Sequence, residues 1–319
     1  MTEPLPSVVA IVGPTGSGKA ALGLDVAERL ELPILVCDSV KVYRQLDIGS
    51  AKPGAEARAR VPHHLIDLVD PDGQFTARQY AAAAWAHIEG RGLFVGGTGF
   101  YLRAALWRAT GEGEDGTPTL EGPQREAFDA KWSAAERADP GATHRALAAV
   151  DPETAAGIHP NNWVRVVRAL GLCDAAGGPI SAIRAADPPT PRARMLFVWL
   201  DPGDALRERQ VRRVDRMLAR GWLAEVEALV AAGYDEHHKS MRSLGYKQLV
   251  DVVKGRCGLD AAREDILKAT WQYARRQRTY FRHQLPAEDV VHIPEPSAMP
   301  WDQVRAFLDS PPQQARPNP

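Results

Sequence analysis

A glycine-rich segment that ends in lysine carries the clearest chemistry in this sequence. It reads Gly13-Pro14-Thr15-Gly16-Ser17-Gly18-Lys19, follows an apolar run and precedes a stretch with helical spacing. In that context the glycines let successive backbone N–H groups face one anion, while the helix N-terminus and the lysine add positive potential. This phosphate loop predicts a diphosphate or triphosphate site formed by Gly13, Thr15, Gly16, Ser17, Gly18 and Lys19. The alternative is a tight turn between a strand and a helix.

The residue after Lys19 decides how a metal ion would be held. Phosphate loops of this kind commonly place Ser or Thr there as a Mg²⁺ ligand, whereas this chain has Ala20. Either the hydroxyl of Ser17 or Thr15 assists, or phosphate, water and a carboxylate hold the ion alone. Asp38, at the predicted end of the second strand, is the candidate carboxylate. Its alternative role is to cap the turn that follows.

A second glycine-rich turn, Gly96-Gly97-Thr98-Gly99, follows the fourth predicted strand and is called the threonine turn below. The Thr98 hydroxyl can reach the same crevice, and a turn without a ligand is the alternative. No apolar strand ends in the aspartate expected of a motor ATPase. The sequence therefore favours group transfer over hydrolysis.

Basic residues are concentrated in the C-terminal third, although the net charge is only -1. Residues 192–285 contain 19 Lys and Arg against 12 Asp and Glu. Residues 268–282 hold five basic residues, no acidic one, and Trp271, Tyr273, Tyr280 and Phe281, of which about half are expected in the core. This mixture is typical of RNA-binding surfaces. A further stripe, Arg209, Arg213, Arg216 and Arg220, predicts either a solvated helix face or phosphate-binding arginines.

The elements that must position these groups alternate between strand and helix patterns. Thr76 with Gln79 predicts a capping box at one of the helices. Short continuous apolar runs predict parallel strands at residues 8–12, 34–37, 64–68, 93–95 and 195–200. The expected fold is α/β, a P-loop NTPase-like doubly wound parallel sheet with a helical insertion domain.

Changes in composition and hydrophobic spacing along the chain predict four segments. Residues 1–110 would form the first part of the core. Residues 111–187 begin with an acidic glycine-rich loop and continue with helical spacing, which predicts the helical insertion. Residues 188–290 would complete the core with basic aromatic helices. Residues 291–319 are rich in proline and are expected to form a loose tail.

Composition excludes several classes of protein. The 319 residues are 45% apolar and 25% charged, which indicates a globular chain, and no apolar run approaches the roughly 18 residues of a membrane helix. The three cysteines are isolated, and neither His63-His64 nor His237-His238 has cysteine or carboxylate partners at zinc-ligand spacing. We therefore expect a cytoplasmic monomer, without a signal peptide or zinc site.

The ordered set of motifs resembles the tRNA dimethylallyltransferases, also called tRNA isopentenyltransferases. The resemblance runs through nearly the whole chain. This sequence shows no C-terminal zinc finger of the eukaryotic type, which favours a bacterial form. Besides the phosphate loop and the threonine turn, it is carried by Asp38-Ser39, Val42-Tyr43-Arg44, Leu46-Asp47-Ile48-Gly49-Ser50-Ala51-Lys52-Pro53, His63-His64-Leu65-Ile66-Asp67, Phe100-Tyr101-Leu102, Ile158-His159-Pro160-Asn161-Asn162, Ser243-Leu244-Gly245-Tyr246 and Tyr273-Ala274-Arg275-Arg276-Gln277-Arg278.

The resemblance implies an activity and a set of roles. Members of the family transfer the dimethylallyl group of dimethylallyl diphosphate to N6 of the adenosine immediately 3′ of the tRNA anticodon, with Mg²⁺. Asp38 would be the catalytic base and a metal ligand, and Thr98 would contact the diphosphate. The family places diphosphate-binding arginine chemistry in the helix that carries Arg209 and Arg213, and the sequence does not choose between these two. The charge pattern, rather than the resemblance, makes Arg275, Arg276 and Arg278 candidates for tRNA contact, with Arg165 and Arg168 of the insertion and Lys41 as further candidates.

The chain departs from the family pattern at Ala20, at Lys41, where the family usually has Gln, and at Ser50, where it has Thr. Lys41 places a cation beside the presumed base, which could lower the pKa of Asp38 or contact tRNA phosphate. Two alternatives stay open. One is a small-molecule or nucleoside kinase with the same phosphate loop. The other is a nucleic-acid-binding protein without catalysis.

Overall fold

The computed structural model describes residues 4–108, 120 and 122–310. The acidic loop predicted at residues 111–116 and the last nine residues of the predicted tail lie outside this range.

Strands and helices alternate along most of the described chain. The strands are β1 (Ser7–Val12), β2 (Ile34–Cys37), β3 (His63–His64), β4 (Arg91–Gly96), β5 (Trp107–Arg108), β6 (Thr190–Pro191), β7 (Arg194–Leu200) and β8 (Val290–Ile293). The helices are α1 (Lys19–Leu30), α2 (Ala55–Arg60), α3 (Ala77–Trp85), α4 (Gly99–Leu106), α5 (Gly122–Ala138), α6 (Ala142–Val150), α7 (Pro152–Ala156), α8 (Trp163–Ala176), α9 (Ile180–Ala186), α10 (Ala205–Ala219), α11 (Trp222–Ala231), α12 (Tyr246–Val253), α13 (Leu259–Gln284) and α14 (Trp301–Asp309).

The chain divides into two compact units. The sheet unit comprises Met1–Leu106 and Pro191–Pro319, and the helical unit comprises Trp107–Thr190. The helical unit contains α5 to α9, and its core includes Leu147, Val166 and Leu170. No single described helix is long and apolar enough to cross a membrane; only α8 with α9, bent by 70°, passes that test as a pair.

A six-stranded parallel sheet forms the centre of the sheet unit, in the order β3-β2-β4-β1-β7-β8. All six residues of β1 are buried, as expected for a strand covered on both faces. Gly96 of β4 is in register with Val12 of β1 and with Cys37 of β2. The segments after β1, β2 and β4 therefore start at one edge, where parallel sheets of this kind bind ligands. The predicted α/β, P-loop NTPase-like fold is confirmed.

One strand prediction needs correction. The strand predicted at residues 64–68 is limited to β3, because Leu65 and Asp67 have φ of 66° and 56° and turn the chain away. Asp67 accepts hydrogen bonds from the buried Lys52 and from Arg58, which fixes this turn.

The expectation of a loose tail is wrong for residues 291–310. Val290–Ile293 forms the edge strand β8 beside β7, and α14 buries Val304 and Leu308 in the core shared with β1 and α1. Prolines at 294, 296 and 300 separate these elements rather than preventing them. The apolar signal was only four residues long, and pairing with β7 supplies what local propensity lacks.

The capping box predicted for α3 is confirmed. The Thr76 hydroxyl accepts from the Gln79 N–H, and the Gln79 side chain accepts from the Thr76 N–H. This reciprocal pair satisfies two backbone donors that the first turn of a helix leaves free.

Candidate active site

The phosphate loop has the backbone that its glycines predict. Gly16 and Gly18 have φ of 87° and 100°, and Gly18 is the N-cap of α1. A Cβ at Gly13 would lie 2.3 Å from the Leu200 backbone oxygen, so only glycine fits there. The loop is thus shaped both by left-handed conformations and by its close approach to β7.

Backbone donors of this loop are available to an anion. The N–H groups of Gly16, Gly18 and Lys19 have no acceptor among the described residues, whereas the Ser17 N–H donates to Pro14. Three free amides at the N-terminus of α1 form the kind of nest that binds phosphate groups. Together with the Lys19 ammonium they are called the anion cradle below.

Lys19 is held in a desolvated position. Its ammonium donates to the Pro14 backbone oxygen at 3.2 Å. Burial, followed by repulsion from Arg213, lowers the pKa of Lys19 to about 7, while attraction to Asp38 opposes the shift. A bound anion would restore the charged form, because it replaces the lost hydration with a counter-charge.

Asp38 lies beside the cradle and also fulfils the capping role. Its Oδ1 accepts from the N–H groups of Val40 and Lys41 at 2.9 and 3.3 Å. The other carboxylate oxygen has no hydrogen-bond partner among the described residues. Asp38 interacts electrostatically with Lys19, Lys41 and Arg213, so one carboxylate stands among three cationic side chains.

The threonine turn is packed rather than open. A Cβ at Gly96 would lie 2.0 Å from the Cys37 backbone oxygen, and one at Gly97 would lie 2.2 Å from Gln277 Nε2. The N–H groups of Gly97 and Thr98 donate to Cys37, and the Thr98 Oγ1 accepts from the Ser39 N–H at 3.1 Å. The turn therefore holds Thr98 beside the segment that carries Asp38.

The two leading arginines of the predicted stripe differ from the other two. Arg209 donates from Nη1 to the Ser17 backbone oxygen at 3.1 Å, and Arg213 interacts with Asp38 and has a pKa lowered by burial. Arg216 and Arg220 are exposed. Half of the stripe thus reaches the phosphate loop and Asp38, and half is a solvated face.

Lys41 lies with the same group of charges. Burial lowers its pKa, attraction to Asp38 opposes this, and Arg213 and Lys52 add to the lowering. Its partly buried position differs from the open surface that a tRNA-binding lysine usually occupies. The tRNA role expected for Lys41 remains a prediction.

The arginines predicted to bind tRNA occupy three kinds of place. Arg275 and Arg276 are exposed on α13, and Arg165 and Arg168 are exposed on α8 of the helical unit. Arg278 forms a two-point ion pair with Asp201, at 2.7 and 2.5 Å, and donates to the Gly203 backbone oxygen. Its guanidinium is therefore already engaged in joining α13 to the end of β7.

The aromatic residues of α13 divide between core and surface roles. Phe281 is 2% exposed, and Arg207 lies over the ring of the half-buried Trp271 at 4.0 Å. Burial raises the pKa of Tyr273 to about 12, and Tyr273 approaches the Thr98 side chain.

The residues present fit a Mg²⁺ ion that is held mainly by its ligand. No three His, Cys, Asp or Glu side chains cluster as a metal site in the described part of the chain. Two oxygen atoms near the cradle have no described hydrogen-bond partner. They are one carboxylate oxygen of Asp38 and the buried hydroxyl of Ser17. Mg²⁺ commonly binds through one or two carboxylates, phosphate oxygens and water. The histidine pairs take no part, since His64 stacks on His87 and His238 pairs with Asp235.

Sequence reasoning missed two buried glutamines at this site. Gln210 of α10 donates to the Thr15 backbone oxygen at 2.7 Å, and Gln277 of α13 bonds both the phosphate loop and the threonine turn. They are 1% and 6% exposed. The available signal was a polar residue on the buried stripe of a helix, since Gln277 lies between Ala274 and Phe281.

Comparison with known proteins identifies related chains over most of this length. A family model described as IPP transferase matches residues 41–284. A tRNA dimethylallyltransferase of Geobacter metallireducens is 44% identical over 287 residues, which are 86% of this chain and 89% of that protein. Another, from Pelotomaculum thermopropionicum, is 38% identical over 88% of each chain.

Solved structures give the same result. The tRNA delta(2)-isopentenylpyrophosphate transferase of Staphylococcus epidermidis is 30% identical, with a TM-score of 0.61 over 95% of this chain and 96% of its own. A eukaryotic dimethylallyltransferase acting on tRNA has a TM-score of 0.76 and 25% identity, over 90% of this chain and 73% of its own.

Proposed function

This chain belongs to the IPP transferase family, and from that premise we propose that it transfers a dimethylallyl group from dimethylallyl diphosphate to tRNA. The acceptor is N6 of the adenosine immediately 3′ of the anticodon, and the second product is diphosphate. The comparisons support this transferase activity over the kinase alternative.

The anion cradle beside Asp38 is the observation that carries the proposal. The free amides of Gly16 and Gly18 and the Lys19 ammonium would bind the diphosphate of the donor. Negative charge that develops on the leaving oxygen is then stabilised by donors already in place. Arg209 and Arg213 extend from α10 towards this loop and add positive charge.

Asp38 is proposed as the general base. In the reaction, the N6 nitrogen forms a bond to C1 of the dimethylallyl group as the bond from C1 to the diphosphate oxygen breaks. The electron pair of that bond leaves with the diphosphate, and the N6 proton passes to Asp38. An aromatic amine is a weak nucleophile, so a positioned carboxylate that accepts its proton assists attack. The Oδ1 atom is occupied by two backbone donors, which leaves the other oxygen for this role.

Thr98 and Mg²⁺ are assigned to the diphosphate. Thr98 is fixed by its bond from the Ser39 N–H and by the turn beneath it, so its hydroxyl is oriented before the donor binds. A Mg²⁺ ion held by diphosphate oxygens and water, with Asp38 joined to it through one of those waters, would neutralise the charge on the leaving group and leave the free Asp38 oxygen for the proton.

Exposed arginines are proposed to bind the tRNA backbone. Arg275 and Arg276 on α13 and, in the helical unit, Arg165 and Arg168 can contact phosphates without disturbing the core. The target adenine must leave its stack to meet a buried allylic carbon, so we propose that it is flipped out. The free cysteines Cys37, Cys173 and Cys257 are consistent with a cytoplasmic setting.

The test is a transfer assay with the purified chain, Mg²⁺, dimethylallyl diphosphate and an unmodified tRNA that carries adenosine 3′ of its anticodon. Mass analysis of the tRNA should show one added dimethylallyl group without ATP, and a tRNA with guanosine at that position should stay unmodified. Phosphate transfer from ATP without prenyl addition would support a kinase instead. Tight tRNA binding without either reaction would support a non-catalytic RNA-binding protein.

A further inference from the structure

A single buried side chain joins the two turns of the candidate active site. The Oε1 atom of Gln277 accepts from the Thr15 N–H at 2.8 Å, and its Nε2 donates to the Gly97 backbone oxygen at 2.9 Å. Both bonds come from one planar amide. That amide therefore sets the distance between two backbone segments that follow the neighbouring strands β1 and β4.

The surroundings of this amide leave it little freedom. Gly97 approaches so closely that a Cβ there would lie 2.2 Å from Gln277 Nε2. Gln210 holds the same loop residue through its other backbone group, by donating to the Thr15 oxygen. Because the Thr15 N–H is already bonded, it is not available to an anion, whereas those of Gly16, Gly18 and Lys19 are.

The same helix meets the threonine turn at three successive turns. Tyr273 approaches Thr98, Gln277 bonds Gly97, and the Tyr280 ring would lie 2.1 Å from a Cβ at Gly99. Arg275 and Arg276 are exposed to solvent on the same helix. The helix that carries the proposed RNA-binding arginines thus also fixes the loops of the diphosphate site.

We propose that Gln277 is a positioning residue for prenyl transfer, whose amide holds the phosphate loop and the threonine turn at the separation that a bound diphosphate requires. The inference rests on the proposed function. It assigns Gln277 no contact with substrate, and its effect on the reaction passes through Thr15 and Gly97.

Few side chains can form both hydrogen bonds of Gln277. The side chain must have the length of glutamine and carry one acceptor and one donor on the same planar group. Methionine has a similar length and neither group. A glutamate carboxylate keeps the acceptor for Thr15, loses the donor for Gly97 and adds negative charge near an anion site. A protonated glutamate regains the donor, so lower pH should restore both bonds.

The experiment compares Gln277→Met and Gln277→Glu with the wild type, and uses Gln284→Met as the matched control, because Gln284 is an exposed residue on the last turn of the same helix. Steady-state transfer is measured against dimethylallyl diphosphate, binding of inorganic pyrophosphate is measured by calorimetry, and tRNA binding and thermal unfolding report on folding. For Gln277→Met we expect a loss of about tenfold or more in kcat/KM for the donor and weaker pyrophosphate binding, with tRNA affinity retained. Gln284→Met should match the wild type.

The pH profile of Gln277→Glu separates positioning from simple packing. Its activity relative to wild type should rise as the pH falls from about 8 to about 6, because protonation restores the bond to Gly97. A ratio that stays constant with pH, or a Gln277→Met enzyme with wild-type donor kinetics and only a lower Tm, would overturn the proposal. If the wild type does not transfer the prenyl group, the proposed function fails, and pyrophosphate binding by the same variants still decides whether Gln277 shapes the cradle.

Discussion

The two glycine-rich turns of the sheet unit follow neighbouring strands and look alike in sequence, yet they need glycine for different reasons. In the phosphate loop, Gly16 and Gly18 adopt left-handed φ values, and the N–H groups of Gly16, Gly18 and Lys19 stay without acceptors among the described residues. In the threonine turn, the glycines lie outside the left-handed region, and atoms of Cys37, Gln277 and Tyr280 fill the space of a side chain.

This difference suits the phosphate loop to binding the diphosphate and the threonine turn to aligning it. Free amides and a lysine make the phosphate loop an anion site. The threonine turn offers one fixed hydroxyl and a packing surface for α13. We therefore expect changes in the first turn to act on donor affinity, and changes in the second to act on the geometry of the bound donor.

The largest effect should come from Asp38, which belongs to neither turn. Asp38→Asn keeps an oxygen to accept from the Val40 N–H but cannot take a proton. We expect kcat to fall by about 10³-fold, within the range for loss of a general base. Pyrophosphate affinity should be unchanged or stronger and tRNA affinity should stay within about tenfold of wild type, roughly 1.4 kcal/mol. Near-normal turnover would remove Asp38 from the base role.

The next largest effect should come from Lys19, because the threonine turn has no such charge. Lys19→Met should lower kcat/KM for the donor by roughly 10²-fold to 10³-fold, because the developing charge loses a preorganised cation. Gel-shift titration with tRNA serves as the control and should be unaffected. Donor kinetics equal to wild type would mean that the cradle does not bind the diphosphate.

A pair of alanine substitutions tests the contrast between the turns directly. Gly13→Ala meets the Leu200 backbone oxygen, whereas Gly97→Ala meets the end of the Gln277 side chain, which can yield by giving up its bond to the Gly97 oxygen. We expect the displaced backbone to cost about 3 and about 1 kcal/mol of binding energy, respectively, which correspond to losses in pyrophosphate affinity of roughly 100-fold and fivefold. Calorimetry measures both, and equal losses would erase the distinction.

A smaller effect is expected from the proton that Lys19 takes up when pyrophosphate binds. The pKa of about 7 in the free protein means that the lysine is largely neutral above that pH. A bound anion raises the pKa, so binding should take up a proton between pH 7 and the higher value of the complex, and affinity should fall as pH rises there. At pH 8, calorimetry in buffers of different ionisation enthalpy should show nearly one proton gained. Proton release would contradict this sign, and Lys19→Met should show no uptake.

The smallest effect concerns the exposed face of α13. Replacing Arg275 and Arg276 together with Gln should reduce the slope of log affinity for tRNA against log salt by about 1.4, at about 0.7 for each phosphate contact. Arg278→Gln should leave that slope unchanged and lower the Tm, because its partner is Asp201. An unchanged slope in the double variant would move the RNA footprint elsewhere.

Local signals were sufficient for much of the fold and the site. The phosphate loop, the alternation of strands and helices and the capping box at Thr76 each depend on residues within one or two turns of chain. The edge strand β8 was missed because its four residues become a strand only beside β7. Arg278 resembled its neighbours in sequence, and only its distance to Asp201 distinguishes it.

The sequence by itself determined which backbone could bind an anion, because glycine spacing and a following helix act locally. The tertiary structure decided which groups face that anion. Arg213 and Lys41 meet Asp38, and Gln277 reaches Thr15 across 262 positions, only because parallel strands bring their carboxyl ends to one edge. Contacts between residues so distant in the chain depend on strand order and helix packing, which short-range patterns do not encode.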